Sequence, residues 1–425
     1  MTNSILNSSN KKYLTKAFLV LLVCGVFLFY KYIAQLFPAV ISNDLLKAYK
    51  FTGVEIAIMT SSYYYSYSFV QLIAGYIIDR YNVRIPCFLA ILTVALAMIG
   101  FSYTDSFYAM CISRAFMGLG AAFATILYMK CAAVWVSPKA FGIISSLLAT
   151  VTMFGAAFGS APVAWFFNRV GWHSGINVIG VIGIILAFSA FILVSNKGSK
   201  AGIEGFKLSF TDVKNIIINK SNWLLFIYAG ITFSPALIIG GIWGNPFLIE
   251  KFHITNTSAS MLLFTMFIGI GIGAPIWAII SANLNLRKGL MHLANLISLL
   301  SFIGIIYLDL SYQITMLLFF ALGFAIGCFM ICFQLCREIN SVFVMGIAVA
   351  FVNMGDGMLS AIIEPLIGYT LDILKTGSEF PLSSYKIALT TLPICFILSS
   401  LTLIYLKTDS SDHSKIGVNP ENVNE

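Results

Sequence analysis

Apolar stretches of near-uniform length follow one another from end to end of the chain, separated by short polar breaks. They fall near residues 17–39, 57–78, 84–103, 108–136, 141–166, 175–195, 223–248, 257–281, 287–308, 313–336, 343–371 and 384–406. About 20 residues at 1.5 Å per residue match the roughly 30 Å hydrocarbon core of a bilayer. The runs are continuous rather than alternating, so each is expected to cross as a helix and not as a barrel strand. The longest break, 196–222, follows the sixth run and divides the chain. The pattern thus predicts an all-α polytopic membrane protein of twelve transmembrane helices in two six-helix bundles. Residues 1–195 form the N-terminal bundle, 196–222 a cytoplasmic middle loop, and 223–425 the C-terminal bundle with a short polar tail.

Composition removes the alternative that 425 residues would otherwise raise, two or three soluble domains. With 59% hydrophobic and 10% charged residues, the chain's main solvent is lipid. The net charge of +8 takes its meaning from placement rather than from nucleic acid, for which no binding module is visible. Sixteen Lys and Arg fall on the side of the termini and six on the other. By the positive-inside rule both termini are expected in the cytoplasm, the protein being a multi-pass component of the cell inner membrane. Residues 1–16, with Lys11, Lys12 and Lys16, precede an uncleaved first span rather than a signal peptide. All eight cysteines lie in apolar runs and read as packing residues, so no disulfide, metal or cofactor is expected. There is no Ser/His/Asp set, HExxH or nucleotide loop, and GIGIG at 269–273 reads as a helix-packing run; an enzyme is not expected.

The halves echo each other. Gly155, Gly159 and Pro162 in the fifth span correspond to Gly357, Pro365 and Gly368 in the eleventh, and GYIIDRYNVR after the second span corresponds to GAPIWAIISANLNLRK at the eighth. Two pseudo-symmetric bundles follow. Gly75, Asp79, Arg80, Asn82 and Arg84 match G-x-x-x-D-R-x-G-x-[RK] with Asn for the second glycine, and Asn tolerates positive φ. Arg114, Gly118 and Gly120 match R-x-x-x-G-x-G; WVSPKAFG (135–142) and GWH (171–173) add to the set. On these motifs the chain resembles the major facilitator superfamily along essentially its whole length. The likeness is nearest to the organic-anion or sugar-phosphate-permease-like and amino-acid-importing branches. The resemblance implies a carrier that works by alternating access. It also implies that Gly75 permits close helix approach and that Asp79 latches the cytoplasmic side against the positive N-terminus of the eleventh span. Ala282 and Asn283 stand where the second copy would carry Asp-Arg, so no equivalent latch is expected there.

Ionisable groups at membrane depth are functional hypotheses by default. Lys31 lies about 14 residues into the first span, on one helical face with Cys24, Leu28, Gln35 and Pro38. It reads either as a substrate or coupling residue or as the structural partner of a buried acid. Lys130 is about five residues from Trp135 and could instead reach headgroups. Arg114 reads as a packing and hydrogen-bonding residue. Asn353, Asp356, Gly357, Ser360 and Glu364 share one arc of the eleventh span, and Thr60, Tyr64, Tyr67, Ser68 and Gln71 one face of the second. GGIWGNPF in the seventh span, with Trp243, Asn245 and Pro246, marks a weak point in that helix. The expected substrate-binding set is Lys31, Gln35, Tyr64, Tyr67, Gln71, Lys130, Trp243 and Asn245. Asp356 and Glu364 are expected to couple transport to a proton, and Gly75, Asp79, Arg80, Arg84, Arg114 and Gly118 to serve gating. The expected activity is proton-coupled import of a small anionic or zwitterionic solute, an amino acid, dipeptide or organic acid, by a monomer in the lipid bilayer. A sugar phosphate or siderophore carrier, a proton-driven drug exporter and a transport-derived sensor without flux are the alternatives.

Overall fold

In the computed structural model, residues 2–80, 83–136, 148, 150–194, 210–284, 286–340, 345–377 and 380–406 are described. Among the described residues twelve long helices run in chain order. The N-terminal six are α1 (Thr2–Ala48), α2 (Gly53–Arg80), α3 (Arg84–Ser102), α4 (Phe107–Ala121 and Phe123–Trp135), α5 (Thr150–Val170) and α6 (Trp172–Leu193). The C-terminal six are α7 (Lys220–Phe252), α8 (Asn256–Leu284), α9 (Arg287–Tyr307), α10 (Tyr312–Ile339), α11 (Met345–Leu374) and α12 (Leu382–Tyr405). Large apolar side chains such as Phe69, Leu96, Ile192, Leu317 and Ile404 are exposed around the bundle. In water they would be a liability; against acyl chains they are the natural surface.

Eleven of these helices, among the described residues, are long and apolar enough to cross a bilayer. The exception is α2, whose 28 residues include the run TSSYYYSYS. That helix packs along α4 in its own half and along α11 in the other, and keeps only an outer strip with Ile58, Phe69 and Ile73 exposed. A span that borders a polar interior needs fewer hydrocarbon-like residues than one bathed in lipid. The halves also meet through α1 against α7 and α5 against α8.

Among the described residues five helices are interrupted: α5 breaks at Gly159–Ser160 and α12 at Thr390, and α4, α7 and α10 break too. In α7 a π-turn, Ile239–Trp243, separates Lys220–Ile238 from Gly244–Phe252, at the GGIWG run where the sequence indicates weakness. α10 tightens to a 3₁₀ turn at Gly327–Met330, and α4 breaks at Ala122. α1 continues as helix through Ala48, well past the expected end near 39, because VISNDLLKA contains no residue that stops a helix. Likewise the expected middle loop holds a short helix, Phe210–Ile218, and Lys220 already begins α7. The two ends of the bundle are called the terminal face, where α1 begins and α12 ends, and the far face, where α1 meets α2 and α11 meets α12.

Candidate functional site

Prolines decide where two of the site's helices find their partners. Pro38 in α1 lacks the N–H that would pair with the carbonyl of Ala34. Arg114 of α4 takes that carbonyl: its Nη1 donates to Ala34 O at 2.6 Å and Nη2 to Gln35 O at 3.2 Å. The guanidinium is completely buried, and the faces of Tyr63 and Phe37 lie 4.7 and 5.6 Å from it. Pro365 in α11 frees Ala361 O in the same way, and the Tyr65 hydroxyl of α2 donates to it at 2.9 Å. Close approach of α2 and α4 depends on Gly118, where an added methyl would stand 2.1 Å from Tyr63 O. Arg114 and Gly118 thus set the backbone on which the cavity is built.

That cavity has a volume of about 10 Å³, room for about one water molecule. Lys31, Tyr32 and Gln35 of α1, Tyr64 and Tyr67 of α2, Phe233 and Leu237 of α7, and Asp356 and Gly357 of α11 line it, so both halves contribute. Lys31 is only 2% exposed. Its Nζ donates to the Tyr67 hydroxyl at 3.2 Å and sits 4.4 Å from the centres of the Tyr32 and Tyr67 rings. This aromatic clasp offsets part of the loss of water. Among the described residues no carboxylate lies within the 4.0 Å of an ion pair with it. Asp356 shares the cavity and accepts from the Gly357 N–H at 2.6 Å. Tyr63, Tyr64 and Tyr67 stack and tilt against one another beside it. Gln71 Nε2 lies 3.5 Å from the Tyr67 hydroxyl, and Gln71 Oε1 is buried with no hydrogen-bond partner. A site with surplus buried donors and acceptors is unfinished as a protein interior.

The structure brings Lys31, Gln35, Tyr64 and Tyr67 to one cavity, with Gln71 one turn away, and Asp356 of the other half lines the same cavity. Four other expected residues do not line it. Lys130 is half-buried towards the terminal-face end of α4. Trp243 is completely buried in the π-turn, with no partner for its Nε1 among the described residues. Asn245 instead ties the halves at the far face, its Nδ2 within reach of Ala39 O at 3.1 Å, Asn256 Oδ1 at 2.9 Å and Ser260 Oγ at 2.9 Å. Glu364 lies at the seam of α2 and α11, where Thr60 and Ser61 donate to Oε2 at 2.8 and 3.1 Å; its Oε1 is buried without a partner.

Of the residues expected to serve gating, the side chains of Asp79 and Arg80, together with residue Asn82 of the same motif, lie outside the described residues. Gly75 does not mark a tight contact: among the described residues, nothing stands within 4 Å of where its Cβ would be. Arg84 ties α3 to α6, stacking 4.2 Å from the Phe191 ring and donating to Phe191 O. Sequence reasoning passed over Tyr32, Phe233 and Leu237, which carry no charge and differ in nothing from ordinary packing residues until the cavity is seen. It also passed over Asp372, an acid at a helix end, whose carboxylate accepts from the N–H groups of Gly53 and Val54.

Two matched helical halves thus enclose a cavity to which both contribute polar side chains. The Major Facilitator Superfamily profile matches residues 19–244, and the protein belongs to that family. Over 171 residues the chain is 23% identical to an uncharacterised transporter of Bacillus subtilis, YybO, covering 40% of this chain and 39% of that one. It is 22% identical over 284 residues to the membrane sensor protein UhpC of Salmonella typhimurium, covering 61% of this chain and 63% of UhpC. The chain therefore spans less than two thirds of the length of either relative. With UhpC of Escherichia coli it shares 21% over 349 residues, covering 76% and 78%. The fold is similar to that of a bacterial homologue of the human lysosomal transporter Spinster, solved inward-facing and unoccupied (TM-score 0.73, 13% identity, 93% of this chain and 99% of that one). It also resembles a mutant of the nucleoside transporter NupG (TM-score 0.73, 12% identity, 92% and 100%).

Proposed function

We propose that the protein is a proton-coupled secondary importer of a small zwitterionic or anionic solute, an amino acid or dipeptide before an organic acid. It acts as a monomer in the inner membrane, with both termini in the cytoplasm. The observation that carries this reading is the Lys31 ammonium: buried, with no carboxylate of the described residues within ion-pair distance, and set in a cavity that Asp356 also lines. A cation and an anion that share a cavity without closing on each other suit a ligand bearing both charges. The ligand's carboxylate would meet Lys31 and the Tyr67 hydroxyl, its ammonium Asp356, and its side chain the apolar wall of Phe233 and Leu237. A void of about one water molecule admits such a solute only once the halves move apart, as alternating access requires.

The test is a thermal-shift screen of the purified protein against neutral amino acids, dipeptides, dicarboxylates and sugar phosphates, followed by counterflow in proteoliposomes. A ligand that binds only the folded state raises its stability. Zwitterions should raise the melting temperature and exchange in counterflow. Lys31→Ala should abolish both effects while leaving the protein folded in the membrane. Stabilisation by sugar phosphates alone, or full transport by Lys31→Ala, would overturn the reading. The two UhpC relatives, named membrane sensor proteins, favour a second reading, a receptor without flux. Binding without counterflow would establish it.

A further inference from the structure

We propose that Asp372 is a gating residue: its carboxylate caps the first turn of α2 and so holds the far face of the bundle shut until the halves separate. A helix begins with N–H groups that have no partner within it. At α2 the local sequence supplies part of the answer, since Thr52 Oγ1 accepts from Glu55 N at 3.1 Å and Glu55 Oε2 from Thr52 N at 2.8 Å. Two donors remain, Gly53 and Val54. Both point to a residue more than 300 positions away in the other half: Asp372 Oδ1 accepts from Gly53 N at 2.9 Å and Oδ2 from Val54 N at 2.8 Å. One carboxylate thus takes two charge-assisted hydrogen bonds at the positive end of a 28-residue helix.

The contact beneath it is backbone on backbone. An added methyl at Gly53 would stand 2.8 Å from Gly368 O, and one at Gly368 would stand 2.4 Å from Gly53 O. Gly368 lies one helical turn before Asp372, so the same end of α11 supplies both the close approach and the cap. Other ties between the halves converge on this face: Asn168 to Thr257 at 2.8 Å and Asn256 to Val40 O at 2.6 Å. Of these contacts only Asp372 carries a formal charge, and it satisfies donors that nothing in the first turn of α2 replaces when the halves part. Its place is also the mirror of a sequence feature. Asp79 is the penultimate residue of α2, and Asp372 stands two residues from the end of α11, so each of two paired helices ends in an aspartate.

The test needs no substrate. A cysteine is placed at Ala57, which is buried one turn beyond Gly53 on α2, and its labelling by a polar maleimide is followed peptide by peptide by mass spectrometry in detergent, where both faces meet the reagent. Asp372→Ala should speed labelling at that cysteine about tenfold or more, and Asp372→Asn, which keeps an accepting oxygen, by less. Gly368→Ala keeps the carboxylate but forces the backbones apart, and should speed it too. Unchanged labelling in Asp372→Ala overturns the proposal. So does an equal rise at the buried native Cys24, which would mean general loosening rather than a gate. Because the readout is accessibility, failure to find any transported solute leaves this result standing, and unchanged labelling says nothing against transport.

Discussion

Arg114 shows how a buried charge can be held without an acid. Its Nη atoms are engaged by carbonyls of α1, one of them freed by Pro38, while Nε has no partner. The planar fork matters, since a lysine ammonium is a point donor on a stem that reaches one carbonyl at best. Arg114→Lys should therefore cost on the order of 1.5–3 kcal/mol for the lost hydrogen bond to a charged group. It should lower the melting temperature and weaken ligand binding through displacement of Gln35. An unchanged melting curve and unchanged affinity would show that the Ala34 carbonyl freed by Pro38 needs no partner. The same residues mark what was legible. Lys31 stood out because an ammonium deep in an apolar run needs a reason, and Arg114 because a motif named it. The role of Arg114 was hidden, because one sequence does not say which span presents a free carbonyl to which side chain. Asp372 was hidden for a plainer reason: an aspartate at a helix end looks like any solvated loop acid.

At the scale of the element, α7 carries the clearest agreement between pattern and structure. Two glycines and a following Gly-Asn-Pro predicted a weak point, and the π-turn Ile239–Trp243 lies there. Its two glycines differ in what they allow. A methyl at Gly240 would meet the Phe267 ring at 2.4 Å, whereas one at Gly241 would find the Tyr64 hydroxyl at 3.5 Å and Glu364 Oε1 at 3.8 Å, both ordinary contacts. Replacing a helical glycine by alanine favours the ordered state by about 0.5–1 kcal/mol where space permits. Gly241→Ala should raise the melting temperature slightly and slow counterflow if the turn flexes during the cycle, whereas Gly240→Ala should destabilise. Equal rates in Gly241→Ala and the parent would make the turn a static feature. The boundaries of α1 and α7 were less legible, since hydropathy ends where the membrane ends and a helix does not.

For the molecule as a whole, the twelve-helix plan and its division into halves could be read from apolar periodicity alone, because a bilayer leaves the backbone so few choices. The pairing of helices could not, and it is pairing that places Glu364. From the sequence it shared an arc with Asp356 and appeared bound for the same site. In the structure it lies instead in the α2–α11 seam with Thr60, Ser61 and the tie from Tyr65 to Ala361 O, between the cavity and the Asp372 cap. Glu364 is completely buried there, its Oε1 turned toward Gly241 of α7, whereas Asp356 borders the cavity itself. If transport is coupled to protons, the two acids divide the work: Asp356 contacts solute, and Glu364 ties proton uptake to closure of the far face. Glu364→Gln keeps the shape of the side chain and an oxygen for Thr60 and Ser61 but abolishes titration. In proteoliposomes it should lose uphill uptake driven by an imposed pH gradient while retaining counterflow within about twofold of the parent. Asp356→Asn should impair both modes. PH-driven accumulation by Glu364→Gln equal to the parent's would remove Glu364 from coupling and leave it a structural tie between the halves.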